Sequence, residues 1–156
     1  MNYVLGLDMG GTNSVLGIVD AEGKVVARTS IKTQDYSQIE TYIDALYLAA
    51  EPIIREVGGI ANIRGIGAGV PNGNFYTGCI QQAMNLPWHG VVPFAELMSK
   101  RFGLPCRITN DANAAAMGEM RYGVAREMKD FIMITLGTGV GSGIVIDGKL
   151  VYGHDG

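Results

Sequence analysis

Two Gly/Thr-rich turns, each set between apolar β-type runs, constrain the fold of this chain more than any other feature. The first lies in "YVLGLDMGGTNSVLGIVDAEGKVV" (Tyr3–Val26), and the second lies in "FIMITLGTGVGSGIVIDGKLV" (Phe131–Val151). Each stretch has an apolar run, a Gly/Thr turn, a second apolar run and a short turn that ends in Gly-Lys. This pattern predicts a β-hairpin in each place, and its repetition predicts that the chain begins two related folding units.

The composition limits the size, partners and compartment of the protein. With 156 residues, 47% of them hydrophobic and 17% charged, the chain can form a globular domain with a sizeable core. A net charge of −3 supplies no basic field for gathering polyanions, so nucleic acid is not an expected partner. Cys79 and Cys106 lack metal-site spacing and are predicted to be reduced thiols of a cytoplasmic protein. Asp8 and nearby glycines interrupt the N-terminal apolar run, so the sequence predicts neither a signal peptide nor a membrane span.

The rest of the chain alternates strand-like and helix-like patterns. Three β-rich runs come first, at Val4–Asp8, Ser14–Asp20 and Val25–Lys32, and the short turns between them predict an antiparallel meander. The later elements are predicted as a helix from Ile39 to Val57, a strand at Ile63–Val70, a helix at Phe94–Phe102, a short strand at 106–109 and a helix at Asn110–Arg121. A Gly/Asn/Pro-rich segment from Pro71 to Trp88 is too long for a plain connector, which is typical of functional loops.

This order of elements predicts an α/β fold in two parts. Residues 1–122 are expected to form a mixed five-stranded sheet with helices on its faces, because a meander is followed by strand–helix units. Residues 123–156 are expected to begin a second, similar domain with its first β-hairpin.

The turn in "LDMGGTN" is the first candidate for a binding site. Gly10 and Gly11 let the backbone approach a ligand closely and turn its amides outward, where they can cradle phosphate oxygens. Thr12 and Asn13 add side-chain donors, and Asp8 can hold Mg²⁺ directly or through water. The alternative is an ordinary hairpin turn with an aspartate that faces solvent.

The turn in "TLGTGVGSG" repeats this design and so favours the phosphate interpretation. Thr135, Gly137, Thr138 and Gly139 lie at its tip. Two such hairpins, one at the start of each domain, are suited to hold the phosphates of one nucleotide from opposite sides.

Four motifs occur in the order and approximate spacing of a known family: "LGLDMGGT", "MNLPW", "ITNDANAAAMGE" and "ITLGTGVGSGIVIDGKL". With them the sequence resembles the actin-like ATPase superfamily and its ribonuclease-H-like halves. Within that superfamily it is similar to the repressor/open-reading-frame/kinase (ROK) family of bacterial sugar kinases. The resemblance implies a glucokinase-like enzyme that uses ATP and Mg²⁺ to phosphorylate a hexose, with glucose as the default substrate. It also implies a homodimer for the full-length parent.

The motif "NDANAAAMGE" places a carboxylate at a predicted strand-to-helix junction. A hexose hydroxyl is a poor nucleophile, and a carboxylate within hydrogen-bond reach accelerates its reaction by roughly 10²–10⁴-fold as a general base. The resemblance implies that Asp111 is this base and that Asn110 bonds a sugar hydroxyl. The alternative is that Asn110 or Asp111 only caps the following helix, which is worth about 1 kcal/mol.

Further sugar contacts are expected in the long loop. In the resembled family the asparagine that matches Asn85, in "QAMNLPW", hydrogen-bonds the sugar, and an amide offers both a donor and an acceptor to ring hydroxyls. The alternative for Asn85 is a turn residue in a proline-containing loop. Gly73 and Asn74 in "VPNGNF" are additional candidates for sugar contact, whereas His89 and His154 receive no function.

The family pattern extends beyond the residues of this chain. A G-E-x-G-H motif with two more sugar ligands, a cysteine-rich structural zinc site and the adenine pocket belong to the family but do not occur before Gly156. We therefore interpret the chain as an N-terminal fragment that is inactive alone. Two alternatives stay open. One is a sugar-responsive ROK repressor, which is disfavoured because "MNYVLGLDMGG" starts on the first strand without a helix-turn-helix arm, and the other is a non-catalytic sugar-binding fragment.

Overall fold

The structure, a computed structural model, describes residues 2–137, 139–154 and 156. Its strands, in chain order, are β1 (Tyr3–Met9), β2 (Asn13–Val19), β3 (Val25–Lys32), β4 (Ile63–Val70), β5 (Ile80–Gln81), β6 (Val91–Val92), β7 (Cys106–Asn110), β8 (Phe131–Leu136), β9 (Val140–Ile146) and β10 (Lys149–Leu150). Its α-helices are α1 (Ile39–Glu56), α2 (Phe94–Phe102) and α3 (Asp111–Tyr122). None of the described helices combines the length and the apolarity that crossing a membrane requires.

Five of the strands form one mixed sheet in the order β3-β2-β1-β4-β7. β1, β2 and β3 are the antiparallel meander, while β4 and β7 extend the sheet on the other side of β1 in parallel orientation. Parallel neighbours need a crossover connection, and α1 and α2 supply one before β4 and one before β7. The mixed five-stranded α/β fold that the sequence predicts is confirmed.

The hydrophobic core lies on one face of this sheet, beneath α1 and α2. Alternate side chains of a strand point to the same face, and Leu5, Leu7 and Met9 of β1 are buried in the core. α1 contributes an apolar stripe that includes Tyr42 and Leu46, which are both fully buried. This packing anchors β1, and with it the turn that follows β1.

The opposite face of the sheet carries α3. A Cβ at Gly69 in β4 would lie 3.0 Å from the Cβ of Ala114, so α3 rests directly on the sheet at this point. Further along β4, Gly67 is exposed, and a Cβ there would meet no atom within 4 Å. α3 therefore covers the part of this face near the carboxyl ends of β4 and β7.

β8, β9 and β10 form a separate three-stranded sheet in the order β10-β9-β8. A Cβ at Gly143 in β9 would lie 2.5 Å from the Cβ of Ala116 and 2.8 Å from the carbonyl oxygen of Ala112, so only glycine fits against α3 here. The predicted second hairpin is present, and the short strand β10 extends it. A domain boundary after residue 122 stays a prediction.

Candidate functional site

Three parallel strands bring the candidate residues to one edge of the sheet. β1, β4 and β7 run in the same direction, so their carboxyl ends lie at the edge where ligands usually bind in α/β sheets. Asp8 lies near the end of β1, Gly73 and Asn74 follow β4, and Asn110 ends β7. The topology therefore brings together residues that are far apart in the sequence.

Asp8 and Asp111 lie on either side of Gly69. Asp8 pairs with Gly69 across β1 and β4. A Cβ at Gly69 would lie 3.5 Å from the Cα of Asp111, so the first residue of α3 passes directly over this glycine. The two aspartates are exposed and share one face of the sheet, as a common site requires.

The first Gly/Thr turn packs tightly at the end of β1. The amide of Gly10 donates to the carbonyl oxygen of Asn13 across the turn, at 2.9 Å. A Cβ at Gly11 would lie 2.9 Å from the carbonyl oxygen of Asn85, so the long loop rests on the turn. Thr12 and Asn13 are exposed beside this contact. The predicted sugar loop and the predicted phosphate turn are therefore direct neighbours.

The strands on either side of the second Gly/Thr turn come close to Asp111. Thr135, which was expected at the tip of this turn, lies in β8 and pairs with Gly141 of β9. A Cβ at Gly141 in β9 would lie 2.6 Å from Oγ1 of Thr135 and 4.0 Å from Oδ1 of Asp111. The two side chains therefore converge on one point of the β9 backbone. This contact joins the second hairpin to the start of α3 and to the edge of the large sheet.

The tip of this second turn is open. The amide of Gly137 donates to the carbonyl oxygen of Gly139 at 2.9 Å. A Cβ at either glycine would meet no described atom within 4 Å, so no local packing requires glycine there. Glycine in such a place permits close approach of a ligand to the backbone. Thr138, the fourth candidate of this turn, lies outside the described residues.

A polar cavity of about 470 Å³ opens beside Asn110. Its lining consists mainly of amides and small residues: Asn72, Gly73, Asn74, Gln81, Asn110, Asn113, Tyr152, Gly153, His154 and Gly156. Carboxamides present donors and acceptors together, which is what sugar hydroxyls need from a site. Three predicted sugar contacts, Gly73, Asn74 and Asn110, share this cavity, whereas Asn85 is not among its described lining residues.

Gly73 and Asn74 also serve the structure of the loop itself. A Cβ at Gly73 would lie 2.7 Å from the carbonyl oxygen of Thr109, because the loop after β4 packs against β7. The side-chain oxygen of Asn74 accepts hydrogen bonds from the amides of Tyr76 and Thr77, each at 2.9 Å. Both residues therefore shape the cavity whether or not they contact a ligand.

Asn110 and Asp111 make different contacts at the start of α3. Oδ1 of Asn110 accepts from the amide of Asn113 at 3.0 Å, which makes Asn110 the N-cap of the helix. Oδ1 of Asp111 accepts from the amide of Ala112 at 2.8 Å, and its other oxygen bonds no described residue. Asn110 therefore caps α3, and its contact with a sugar hydroxyl stays a prediction. Asp111 keeps a carboxylate oxygen available for chemistry.

The chemistry around Asp8 fits Mg²⁺. Among the described residues, no group of three or more His, Cys, Asp or Glu side chains is arranged to hold a metal ion. Asp8 is exposed, and its carboxylate makes no hydrogen bond or ion pair to another described residue. One carboxylate is enough for Mg²⁺ when nucleotide phosphates and water supply its other ligands.

Several cavity residues were missed by sequence reasoning. The cavity is also lined by residues that were not singled out as candidates: Asn72, Gln81, Asn113, Tyr152 and His154. Asn72 and Asn113 lie inside the motifs "VPNGNF" and "NDANAAAMGE", and His154 had been given no function. Asn72 has a φ of 49°, and "PNG" was an available signal because asparagine tolerates this left-handed backbone. Tyr152 reaches the cavity by stacking on Phe75, with ring centroids 4.1 Å apart, a long-range contact that no local pattern shows.

The fold and the site together define a class of protein. A mixed sheet of this strand order, with a Gly/Thr turn and a carboxylate at one edge and a second Gly/Thr hairpin facing them, is the ribonuclease-H-like architecture of actin-like ATPases. Within that class, the ROK family profile matches residues 4–156. The chain belongs to the ROK family.

Similar proteins include both enzymes and a regulator. Glucokinase from Streptomyces coelicolor is 39% identical over 157 residues, which cover 100% of this chain and 47% of that protein. A ROK family glucokinase from Streptomyces griseus, crystallised with glucose and AMPPNP, has a TM-score of 0.85 and 34% identity, covering 99% of this chain and 48% of that one. The xylose repressor from Caldicellulosiruptor bescii is 41% identical over 95 residues, 60% of this chain and 24% of that protein. The chain spans about half the length of the glucokinases that it matches.

Proposed function

We propose that this chain is the N-terminal part of an ATP-dependent hexose kinase that phosphorylates glucose. The observation that carries the proposal is the convergence of Asp111 Oδ1 and Thr135 Oγ1 on the backbone at Gly141. A carboxylate suited to general-base catalysis thereby lies beside a turn suited to phosphate binding. The glucokinase crystallised with glucose and AMPPNP supports the proposal, because it shares this fold over nearly the whole chain.

In the proposed reaction Asp111 is the general base. Its carboxylate accepts the proton of the hexose hydroxyl while the hydroxyl oxygen attacks the γ-phosphorus of ATP. An oxygen–phosphorus bond forms, the bond from the γ-phosphorus to the β–γ bridging oxygen breaks, and ADP leaves with that electron pair. The position of Asp111 at the junction of β7 and α3 suits this role, since both elements fix its backbone.

The two Gly/Thr turns are proposed to hold the phosphates from opposite sides. The residues of the first turn are Gly10, Gly11, Thr12 and Asn13, and those of the second are Thr135, Gly137, Thr138 and Gly139. The hydroxyls and the backbone amides that are not bonded within the turns would orient the γ-phosphoryl group and stabilise its charge. The amides of Gly10 and Gly137 are already bonded to the carbonyl oxygens of Asn13 and Gly139. Bound to Asp8 and the phosphates, Mg²⁺ would neutralise the charge of the transferred group.

The sugar is proposed to bind between the polar cavity and the Asn85 loop. Asn110 and Asn85 would hydrogen-bond its hydroxyls, while Gly73 and Asn74 shape the cavity wall. The remaining sugar ligands, the adenine pocket and a structural zinc site are assigned to the half of the parent that this chain does not contain. The chain alone is therefore expected to show no turnover. Separately, the resemblance to the ROK family implies that the parent is a homodimer.

Two other functions use the same cavity without phosphoryl transfer. A sugar-responsive repressor and a non-catalytic sugar-binding fragment would both bind a hexose through these amides. Either would leave Asp111 without a chemical task, whereas the kinase depends on it.

Substitution of Asp111 in the full-length protein tests the proposal. Asp111→Asn keeps size and polarity, so we expect normal folding and ATP binding, but a kcat lowered by about two to four powers of ten. A coupled assay of ADP release with glucose measures this. Near-normal kcat in the variant would show that Asp111 is not the general base and serves only at the start of α3. A wild-type protein that binds glucose in calorimetry but never turns over would favour the repressor or the binding fragment.

A further inference from the structure

Three buried hydroxyl groups lie directly behind the first Gly/Thr turn. Oγ1 of Thr33 donates to the carbonyl oxygen of Gly10 at 2.8 Å. Oγ of Ser14 lies 2.8 Å from Oγ1 of Thr33 and 2.5 Å from the hydroxyl oxygen of Tyr42. Ser14, Thr33 and Tyr42 have no exposed surface. Because buried hydroxyls are costly unless they are bonded, this is an ordered chain that runs from α1 to the turn.

The donor and acceptor in each bond of this hydroxyl chain follow from the number of hydrogens that the hydroxyls carry. Each hydroxyl has one hydrogen to donate, and Thr33 gives its own to Gly10. Ser14 must therefore donate to Thr33, and Tyr42 must donate to Ser14. Burial raises the pKa of Tyr42 well above its ordinary value, so the first donor keeps its hydrogen throughout the physiological pH range. The hydroxyl chain therefore donates its last hydrogen bond, from Thr33, to the Gly10 carbonyl throughout the physiological pH range.

Thr33 fixes two peptide groups of the turn. Its hydroxyl holds the carbonyl of Gly10, and its backbone amide donates to the carbonyl oxygen of Thr12 at 2.8 Å. In a trans peptide the C=O and the following N–H point in opposite directions. With the Gly10 carbonyl held toward the buried Thr33, the amide of Gly11 is turned away from the core. That is the orientation in which it can meet an anion.

We propose that Tyr42, Ser14 and Thr33 are positioning residues that preset the Gly11 amide for the terminal phosphates of the nucleotide. The inference rests on the proposed function for the identity of the ligand. Its physical basis is preorganisation: a donor that is already oriented does not have to be ordered when the ligand binds or reacts. None of the three residues belongs to a motif that the sequence marked as functional.

The Tyr42 side chain has two separable contacts. Its ring lies 4.5 Å, between centroids, from the ring of Trp88, whose indole nitrogen donates to the carbonyl oxygen of Tyr36 at 3.2 Å. The ring therefore packs against the long loop, while the hydroxyl serves the phosphate turn. Tyr42→Phe removes the hydroxyl and keeps the ring, so it tests the turn without removing the loop contact.

Amide hydrogen exchange in the 156-residue protein gives a readout that does not require kinase activity. Two reporters belong to the turn: the amide of Gly10, bonded to Asn13, and the amide of residue 33, bonded to Thr12. Thr33→Val should speed exchange at both by roughly five-fold relative to a core amide such as that of Leu16, because one hydrogen bond is worth about 1 kcal/mol. Thr33→Ser should restore slow exchange. Thr29→Val is the matched control, because it makes the same substitution in β3 at a residue that does not bond the turn.

Kinetics of the full-length protein give the second readout. Thr33→Val should raise the KM for ATP about ten-fold and lower kcat/KM for ATP by up to about a hundred-fold, with the KM for glucose unchanged. Tyr42→Phe should shift the same parameters by a smaller factor, and Thr33→Ser should stay near wild type. Tyr47→Phe is a suitable control, since Tyr47 lies on the same helix but packs on Phe102.

The outcomes separate this inference from the proposed function. Equal acceleration of the turn amides and the Leu16 amide in Thr33→Val would show a purely structural role and overturn the inference. An unchanged KM for ATP in an active Thr33→Val enzyme would also overturn it. Absence of kinase activity in the wild-type full-length protein would defeat the proposed function, while the exchange experiment would still decide whether the hydroxyl chain orders the turn.

Discussion

Gly11 shows why a single residue in the first turn cannot carry a side chain. Its φ does not lie in the left-handed region, so the backbone alone does not demand glycine. A Cβ there would instead lie 2.9 Å from the carbonyl oxygen and 3.3 Å from Nδ2 of Asn85. Close packing between the two loops therefore requires glycine at this position.

Gly11→Ala is expected to displace the Asn85 loop. Forcing a methyl group into this contact should lower the free energy of unfolding by about 1–3 kcal/mol. The emission of Trp88, the one tryptophan in the chain, should shift because it follows Asn85 closely in the same loop. Urea denaturation followed by fluorescence measures both effects. Gly67→Ala is the control, as a Cβ there meets no atom within 4 Å, and equal behaviour of the two variants would contradict the packing argument.

Cys106 is expected to be unreactive in the folded chain. Burial raises the pKa of its thiol to about 12. The thiolate is the reactive form, so at pH 8 only about one molecule in ten thousand is reactive, and the rate should rise about ten-fold per pH unit below the pKa. Iodoacetamide labelling read by mass spectrometry should modify Cys106 rapidly in urea and slowly without it. Equal rates in both conditions would show that the thiol is not buried.

At the scale of elements, strong local periodicity made most of the fold predictable. The meander, the long first helix and the second hairpin each have an apolar pattern of the right period, and each occurs close to its predicted bounds. β5, β6 and β10 have two residues each, which is too short for any period to be visible. Their existence depends on long-range packing, as does the stacking that brings Tyr152 to the cavity.

The start of α3 shows a second limit of sequence reasoning. Capping and sugar binding were alternatives for Asn110, and both use the same side chain. The structure establishes the cap, in which the side-chain oxygen of Asn110 accepts from the amide of Asn113. The cap does not use the side-chain nitrogen of Asn110, which is the atom proposed to donate to a sugar hydroxyl. Sequence alone cannot separate the two roles, because helix caps and sugar ligands favour the same polar residue types.

Two substitutions at Asn110 separate these roles. Asn110→Ala removes the cap and should cost about 1 kcal/mol of unfolding free energy, whereas Asn110→Ser keeps a capping oxygen and should cost only a few tenths. Both remove the amide nitrogen, so both should weaken glucose binding in the full-length protein. Thermal unfolding and calorimetry measure the two effects. Wild-type affinity for glucose in Asn110→Ser would leave Asn110 with the capping role alone.

At the scale of the whole molecule, two apolar surfaces stay uncovered. A groove of about 940 Å³ follows the open face of the large sheet. There the strand register places Gly17, Gly6 and Gly67 side by side, with Arg28 and Arg107 at the two ends of the row. The outer face of β8 and β9 is the second surface. Contiguous apolar surface of this kind is uncommon on soluble monomers.

The outer face of β8 and β9 is expected to make the chain self-associate. Ile132 and Ile134 are 64% and 60% exposed, Leu136 is 80% exposed, and Val140 lies beside it with 78% exposed. Association of two such faces removes this apolar area from water, at about 25 cal/mol per Å². Light scattering across a concentration series should therefore show dimers or larger species.

A paired substitution tests whether this face is responsible. Ile132→Thr with Ile134→Thr keeps the β-branched shape that suits a strand but makes the face polar, so the species should shift toward monomer. Leu48→Gln, at an exposed position of α1, is the control and should leave association unchanged. A strict monomer in the unsubstituted chain, with slow amide exchange throughout β8 and β9, would show that the three-stranded sheet is stable with its outer face in water. The second hairpin would then need no further partner in order to hold Thr135 beside Asp111.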